Sequence, residues 1–269
     1  MVKKIFGNIY LALLFVFLYA PIVILMVLSF NASKSRAKWG GFTLDWYTEL
    51  FQNEEIIQAL YNTLIIAFVS AFVAVIIGTI AAIAMNSMKK TPRAILMAVT
   101  NIPMLNADIV TGISLMLLFV ALGGVFRFSL GFGTVLLAHI TFNIPYVILN
   151  VLPKLKQLNK NTYEAALDLG ASNFFAFRKV ILPEIFPGIL SGFLLAFTMS
   201  LDDFVITYFT NGSSVDTLST VIYSEVRKGI KPEIYALSTI MFVVVVLILI
   251  CVNRRNDRKN KVVLPAAKK

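Results

Sequence analysis

The 269-residue chain has one cysteine, one histidine, two tryptophans and a charged fraction of only 14%. Each shortage excludes something. With Cys251 alone, neither an internal disulfide nor a cysteine zinc site can form. With His139 alone, a multi-histidine metal site is excluded, and no metal centre is expected. Phosphates cannot be cradled by a G-x-x-x-x-G-K-[ST] loop, because the chain contains none. A soluble domain carries roughly 25% charged residues, so the scarcity of charge argues against a soluble fold. The net charge of +10 would suggest nucleic acid in a soluble chain, but here it has another source.

What the chain has in place of charge is long apolar runs, with 58% of residues in the hydrophobic set. Six segments are long enough to span a bilayer as helices, at about 20 residues each. They are Ile5–Phe30, Leu60–Met85, Ile95–Leu122, Phe132–Leu152, Ile185–Phe209 and Ile234–Val252. The first follows Lys3 and Lys4 and exceeds the ~7–15 apolar residues of a cleaved signal peptide, so it is expected to be a retained span. The expected fold is therefore an all-α integral membrane protein of six transmembrane helices. Pro103 and Asp108 interrupt the third span, and Asp202 and Asp203 interrupt the fifth.

An even number of spans puts both termini on one side. The N-terminus, residues 86–94, residues 153–184 and the C-terminal tail together hold 17 of the 24 Lys and Arg residues. That asymmetry predicts cytoplasmic termini and accounts for the net charge. Asp45, Glu49, Glu54, Glu55, Asp216, Glu225 and Glu233 then fall outside. The basic tail from Arg254 to Lys269 reads as a topology anchor attracted to anionic lipid.

Between spans four and five lies the stretch KLKQLNKNTYEAALDLGASNFFAFRKVILPEIFPG, long for a helix connection. Asn161 or Thr162 can cap a short helix with Glu164 in its first turn, and Gly170 ends or bends it. A second short amphipathic piece follows, with Phe174, Phe175, Phe177, Arg178 and Lys179. Pro183 and Pro187 punctuate the start of span five. The physical reading is a helix–turn–helix at the cytoplasmic surface.

Glu164-Ala165-Ala166, three residues, Gly170, nine residues, then Val180-Ile181-Leu182-Pro183 resembles the EAA signature of ATP-binding-cassette importer permeases. The family usually has Ile where Val180 stands. The resemblance implies the type I, MetI-like permease fold: one transmembrane domain over 1–269, a permease core over 58–252 and a cytoplasmic coupling segment over 153–184. It also implies that Glu164, Ala165, Ala166, Gly170, Leu182 and Pro183 couple to a separate ATPase, which would bind ATP and magnesium. This chain is then a transport subunit without a cofactor of its own, and not an enzyme.

Tyr19-Ala20-Pro21-Ile22, Phe30-Asn31, Trp39-Gly40-Gly41-Phe42, Trp46-Tyr47 and Ser200-Leu201-Asp202-Asp203-Phe204-Val205-Ile206 are similar to the C-type subunit of spermidine/putrescine permeases. That likeness implies a homologous B-type permease, two ATPase subunits and an extracytoplasmic polyamine-binding protein as partners, in a bacterial cytoplasmic membrane.

The residues offer an independent argument for a cationic cargo. A charge at mid-bilayer is disfavoured by at least ~2.5–3.5 kcal/mol, so unpaired acids there are functional candidates, with a hydrogen-bonded cap or an inter-subunit pair as the alternative. Asp108 is one, expected near the middle of span three on a face shared with Asn101, Thr111 and Gly112. Gly188, Gly192, Ala196 and Ser200 form a small-residue stripe on span five. Asp203 projects within about 20° of Gly192 and Ala196, with Asp202 a quarter-turn away. The pathway set is Asp108, Asp202, Asp203 and Ser200, with Trp46 and Tyr47 as aromatic faces for an ammonium. An interfacial belt is the alternative for Trp46. His139, Asn143, Tyr146 and Asn150 share a face of span four. Inter-helix hydrogen bonding suits that face best, with His139 also a possible pathway residue. Other solutes of the same superfamily, and an ATP-independent cation transporter, are the rival functions. The acids fit the second equally well, but the EAA stretch does not.

Overall fold

The computed structural model describes residues 2–35, 37–213, 215–244 and 246. Cys251, the end of the sixth expected span and the basic tail lie outside them. Among the described residues the protein is helical, without a strand; the only bridge pairs Asn31 with Phe42. Five helices are long and apolar enough to cross a membrane: Gly7–Leu28, Glu54–Ser87, Asp108–Phe126, Phe132–Gln157 and Asn173–Asp202. The described part of the sixth expected span is a shorter apolar helix, Pro232–Val244.

The chain forms two compact units, Met1–Ile57 with Ser224–Lys269, and Gln58–Tyr223. In the first unit, α1 (Val2–Leu28) contains Pro21, and Asn31 organises the turn that follows. The Asn31 amide donates to Lys38 O at 2.9 Å, while its Oδ1 accepts from Ser33 N at 3.1 Å and Gly40 N at 2.8 Å. Gly40 is required there, since a Cβ would lie 2.7 Å from Ser33 N. Next comes α2 (Asp45–Gln52). Asn53 then donates to the Glu233 carboxylate at 3.0 Å, joining the α2 end to the start of α12 (Pro232–Val244).

The second unit is built from most of α3 (Glu54–Ser87), α4 (Lys90–Leu105), α5 (Asp108–Phe126), α6 (Phe132–Gln157), α7 (Lys160–Asp168), α8 (Asn173–Ala176), α9 (Leu182–Asp202), α10 (Val205–Thr210) and the first part of α11 (Leu218–Lys228). In a bilayer no hydrophobic drive separates helix from lipid, so close association relies on small residues. Gly188, Gly192, Ala196 and Ser200, the stripe read from sequence, are all buried. A Cβ on Gly192 would stand 3.2 Å from the Cα of Val147 on α6, and one on Gly188 only 2.9 Å from Asn150 O. From α3, Gly78 approaches the same Val147. Val147, Ile148, Val151, Leu152, Ile185 and Ala196 form the dry centre of this packing.

Two expected spans are broken. The third is two helices, with Asn106 and Ala107 extended at ψ 152° and 135° between them. Asp108 is therefore not at mid-span but in the first turn of α5, and the face predicted across Asn101, Asp108, Thr111 and Gly112 is not continuous. Pro103, without an N–H to bond the preceding turn, weakens the end of α4, and an acid favours a helix start. The fifth span stops at Asp202. Asp203 is extended (φ −62°, ψ 125°), and the chain restarts as α10.

Candidate functional site

The segment between α6 and α9 differs in detail from the sequence reading. Asn159, not Asn161 or Thr162, caps α7, its side chain accepting from Asn161 N at 3.0 Å. At the other end Gly170 takes φ +85°. Gly170 N donates to Leu167 O at 2.9 Å, and Ala171 N to Ala166 O at 3.1 Å. These two bonds make a Schellman stop, which needs a left-handed residue at that position. Ser172 then caps α8.

The second amphipathic piece is not separated from span five. Phe177–Ile181 forms a π turn, with Leu182 N bonded to Phe177 O, and α9 follows directly. A single rod runs from Asn173 to Asp202. The wide turn lies immediately before Pro183, whose ring would crowd a regular turn at that point.

Glu164 and Ala165 are exposed, Ala166 and Leu182 are half-buried, and Pro183 is exposed. Leu169 is 90% and Phe174 73% exposed, so the turn presents an unpartnered apolar tip. Beside it Glu164 lines a cleft of about 730 Å³ with Arg93, Lys156, Thr162 and Glu184. Arg93, Glu164 and Glu184 come from three separate helices, so no local sequence pattern links them.

Near the other end of α9, the residues expected to line a pathway divide into two groups. Asp202 is exposed and makes no hydrogen bond to another described residue, and Asp108 is likewise exposed without a side-chain partner among them. Asp203 is tied in on every side. Its carboxylate accepts from Ile206 N at 3.3 Å, from Thr207 N at 2.8 Å and from Thr207 Oγ1 at 2.9 Å. His139 Nε2 is 3.4 Å from Asp203 Oδ2, and the Ser219 hydroxyl donates to Asp203 O at 2.6 Å. The acid thus caps the restart of the chain at α10.

Ser200 is buried and bonds His139, Asn143 and Ser70 at 2.9, 2.9 and 3.0 Å. His139 and Asn143 therefore carry the inter-helix bonding read from their shared face, whereas Asn150 donates within its own helix to Tyr146 O at 2.8 Å. Ser70 and Thr207 were missed in sequence; a hydroxyl inside each apolar run was the available signal.

In the first unit Trp46 is buried, and its indole donates to Asn31 O at 2.7 Å. Tyr47 is half-buried, with its hydroxyl 2.8 Å from Ser29 Oγ and its ring 5.4 Å from that of Phe30.

Residues 74–262 match the model for the inner membrane component of binding-protein-dependent transport systems. The chain belongs to that family. It is 40% identical to the spermidine/putrescine transport system permease protein PotC of Haemophilus influenzae, over 94% of this chain and 96% of that one. It is 41% identical to the putrescine transport system permease protein PotI of Escherichia coli strain K12, over 84% and 82% respectively. The fold matches a chain from the crystal structure of a bacterial ABC transporter that imports the polysaccharide alginate. The TM-score is 0.70 and the identity 19%, with 96% of each chain covered. The protein is accordingly a multi-pass membrane permease, a transport subunit of an ABC transporter with a MetI-like fold.

Proposed function

We propose that this chain is the C-type permease of an ATP-driven polyamine importer. It forms half of the translocation pathway and lies in a bacterial cytoplasmic membrane with both termini in the cytoplasm. One observation carries the mechanical part. The motif-bearing α7 turn ends in an exposed apolar tip, and the helix leaving it continues without a break into membrane-spanning α9. Push a rod at one end and the other end moves, so a partner gripping Leu169 and Phe174 at the cytoplasmic end would shift the far end of α9, at Asp202. Glu164, Ala165, Ala166, Gly170, Leu182 and Pro183 are the coupling set. The partner is an ATPase, present as two copies, which supplies the ATP and magnesium chemistry.

The cargo reading is supported by relatives that carry spermidine or putrescine in their names. Exposed, unpaired Asp108 and Asp202 support it independently: carboxylates suit ammonium groups and disfavour anions. A homologous B-type permease completes the pathway, and an extracytoplasmic binding protein delivers the cargo. The lysine and arginine asymmetry supports the orientation.

The test is uptake of labelled spermidine and putrescine into vesicles holding this chain, its sister permease and the ATPase, with loaded binding protein supplied. Glu164→Gln is expected to lower uptake and binding-protein-stimulated ATP hydrolysis together. Normal uptake with the ATPase omitted overturns the assignment.

A further inference from the structure

Six side chains from four elements meet near the break between α9 and α10: Ser70 on α3, His139 and Asn143 on α6, Ser200 on α9, and Asp203 with Thr207 at the start of α10. His139, Asn143, Ser70, Ser200 and Thr207 are all buried. Their hydrogen bonds can be given directions by counting protons. A carboxylate only accepts, so the single hydroxyl proton of Thr207 goes to Asp203 Oδ2. Thr207 Oγ1 is then an acceptor toward His139 Nε2, 2.9 Å away, and Nε2 must carry a proton. The same proton faces Asp203 Oδ2 at 3.4 Å, where a bare nitrogen would set two lone pairs against each other. In the neutral ring Nδ1 then accepts from the Ser200 hydroxyl at 2.9 Å. Ser200 Oγ in turn accepts from the Asn143 amide at 2.9 Å. Every donor points the same way, from Asn143 through Ser200, His139 and Thr207 to Asp203.

We propose that His139 is a positioning residue for transport, not a cargo ligand. As the Nε2–H tautomer it passes a one-way hydrogen-bond chain to Thr207 and Asp203, and so holds the α9/α10 break that presents the Asp202 carboxylate. The ring is too buried to meet cargo, and its two nitrogens are both engaged. What it controls is the direction of Asp203, whose neighbour Asp202 is exposed. This rests on the pathway reading of Asp202 given above.

Two variants separate donation from bulk. His139→Gln keeps one N–H donor on a side chain of similar reach; His139→Leu keeps bulk and loses the chain. In the reconstituted importer, His139→Leu is expected to lower maximal uptake by about tenfold or more, the loss of hydrogen bonding around a charged group. The concentration of loaded binding protein giving half-maximal uptake should stay unchanged, and His139→Gln should recover to within about threefold of wild type. Wild-type uptake by His139→Leu, or a His139→Gln variant as poor as His139→Leu, overturns the proposal. Should His139→Leu fail to assemble, the tautomer decides. This chain has one histidine, so the difference in ¹⁵N-histidine spectra between wild-type and His139→Gln complexes isolates it. A protonated Nε2 with a bare Nδ1 supports the proposal, and an Nδ1–H tautomer or an imidazolium overturns it. A wild-type complex that moves no polyamine would refute the functional reading instead, with the spectrum still reporting on the ring.

Discussion

Neutralising one of two adjacent acids should leave the protein intact, and removing the other should loosen it. Asp202 has no hydrogen bond to another described residue, so Asp202→Asn is expected to change stability by no more than about 0.5 kcal/mol. Asp203 Oδ2 holds Thr207 N at 2.8 Å and Thr207 Oγ1 at 2.9 Å, while Oδ1 holds Ile206 N at the longer 3.3 Å. In Asp203→Asn the amide oxygen can take the Oδ2 position and keep both short bonds. Its NH2 then faces Ile206 N–H, donor against donor. One long bond is lost and two lose their charge assistance, a cost of about 1–2 kcal/mol. Asp203→Ala removes every acceptor, with Thr207 fully buried and His139 at 2% exposure beside the gap. Several unmet donors at about 1 kcal/mol or more each sum to about 3 kcal/mol or more.

The assay is the thermal midpoint of the purified complex alongside uptake in vesicles. The expected order of midpoints is wild type level with Asp202→Asn, then Asp203→Asn, then Asp203→Ala. Uptake should fall sharply in Asp202→Asn despite its unchanged midpoint. An Asp202→Asn midpoint as low as that of Asp203→Ala, or an Asp203→Ala midpoint equal to wild type, would refute the division of labour.

Gly170→Val should strain a residue held at φ +85° by about 1–2 kcal/mol; ATP hydrolysis should lose its response to loaded binding protein, while the complex still assembles. Gly192→Leu should fail to pack, since even a Cβ meets the α6 backbone at 3.2 Å, and the amount of assembled complex in membranes measures it. Trp46→Phe keeps the ring and loses the bond to Asn31 O; it should lower the midpoint by about 1–3 kcal/mol equivalent without raising the polyamine concentration for half-maximal uptake, which a stacking role would raise. Asp108→Asn should reduce polyamine uptake at least tenfold at unchanged midpoint, and full uptake removes Asp108 from the pathway.

The apolar runs made the spans legible because the bilayer forces a simple rule: about 20 apolar residues, all backbone bonds internal. The stripe of Gly188, Gly192, Ala196 and Ser200 was legible for the same reason, as a four-residue spacing with one meaning inside a membrane. The two breaks were visible only as interruptions. A proline or acid in an apolar run says that the helix is under stress, and not whether it bends, caps or restarts. That depends on whether a second element supplies bonds, as Ser219 and His139 do at Asp203. The projection that put Asp203 on the stripe assumed an unbroken helix, which the extended backbone at Asp203 replaces. The Asn159 cap was missed because several polar residues in a row could each cap, and only the turn geometry selects one.

The two breaks are neighbours, and that explains why acids stand at both. Gly112 on α5 lets α10 approach: a Cβ there would lie 3.0 Å from the Phe209 ring and 3.3 Å from Val205 O. Each break creates a helix start; that of a long helix such as α5 carries about +0.5 of a charge, and that of six-residue α10 less. Discontinuous helices in transporters often aim such starts at anions. Toward a cation the bare start would be repulsive: half a charge at 8 Å amounts to about 1 kcal/mol at an effective dielectric of 20. Asp108 in the first turn of α5 and Asp203 at the start of α10 each more than cancel it. Asp203 spends its charge on the backbone and on His139, so its start is neutralised from within. Asp108 and Asp202 have no hydrogen-bond or ion-pair partner among the other described residues, so their negative potential is left over. In the proposed importer, broken helices that begin on acids would suit a cation where bare helix starts suit an anion, with the surplus negative charge on Asp108 and Asp202.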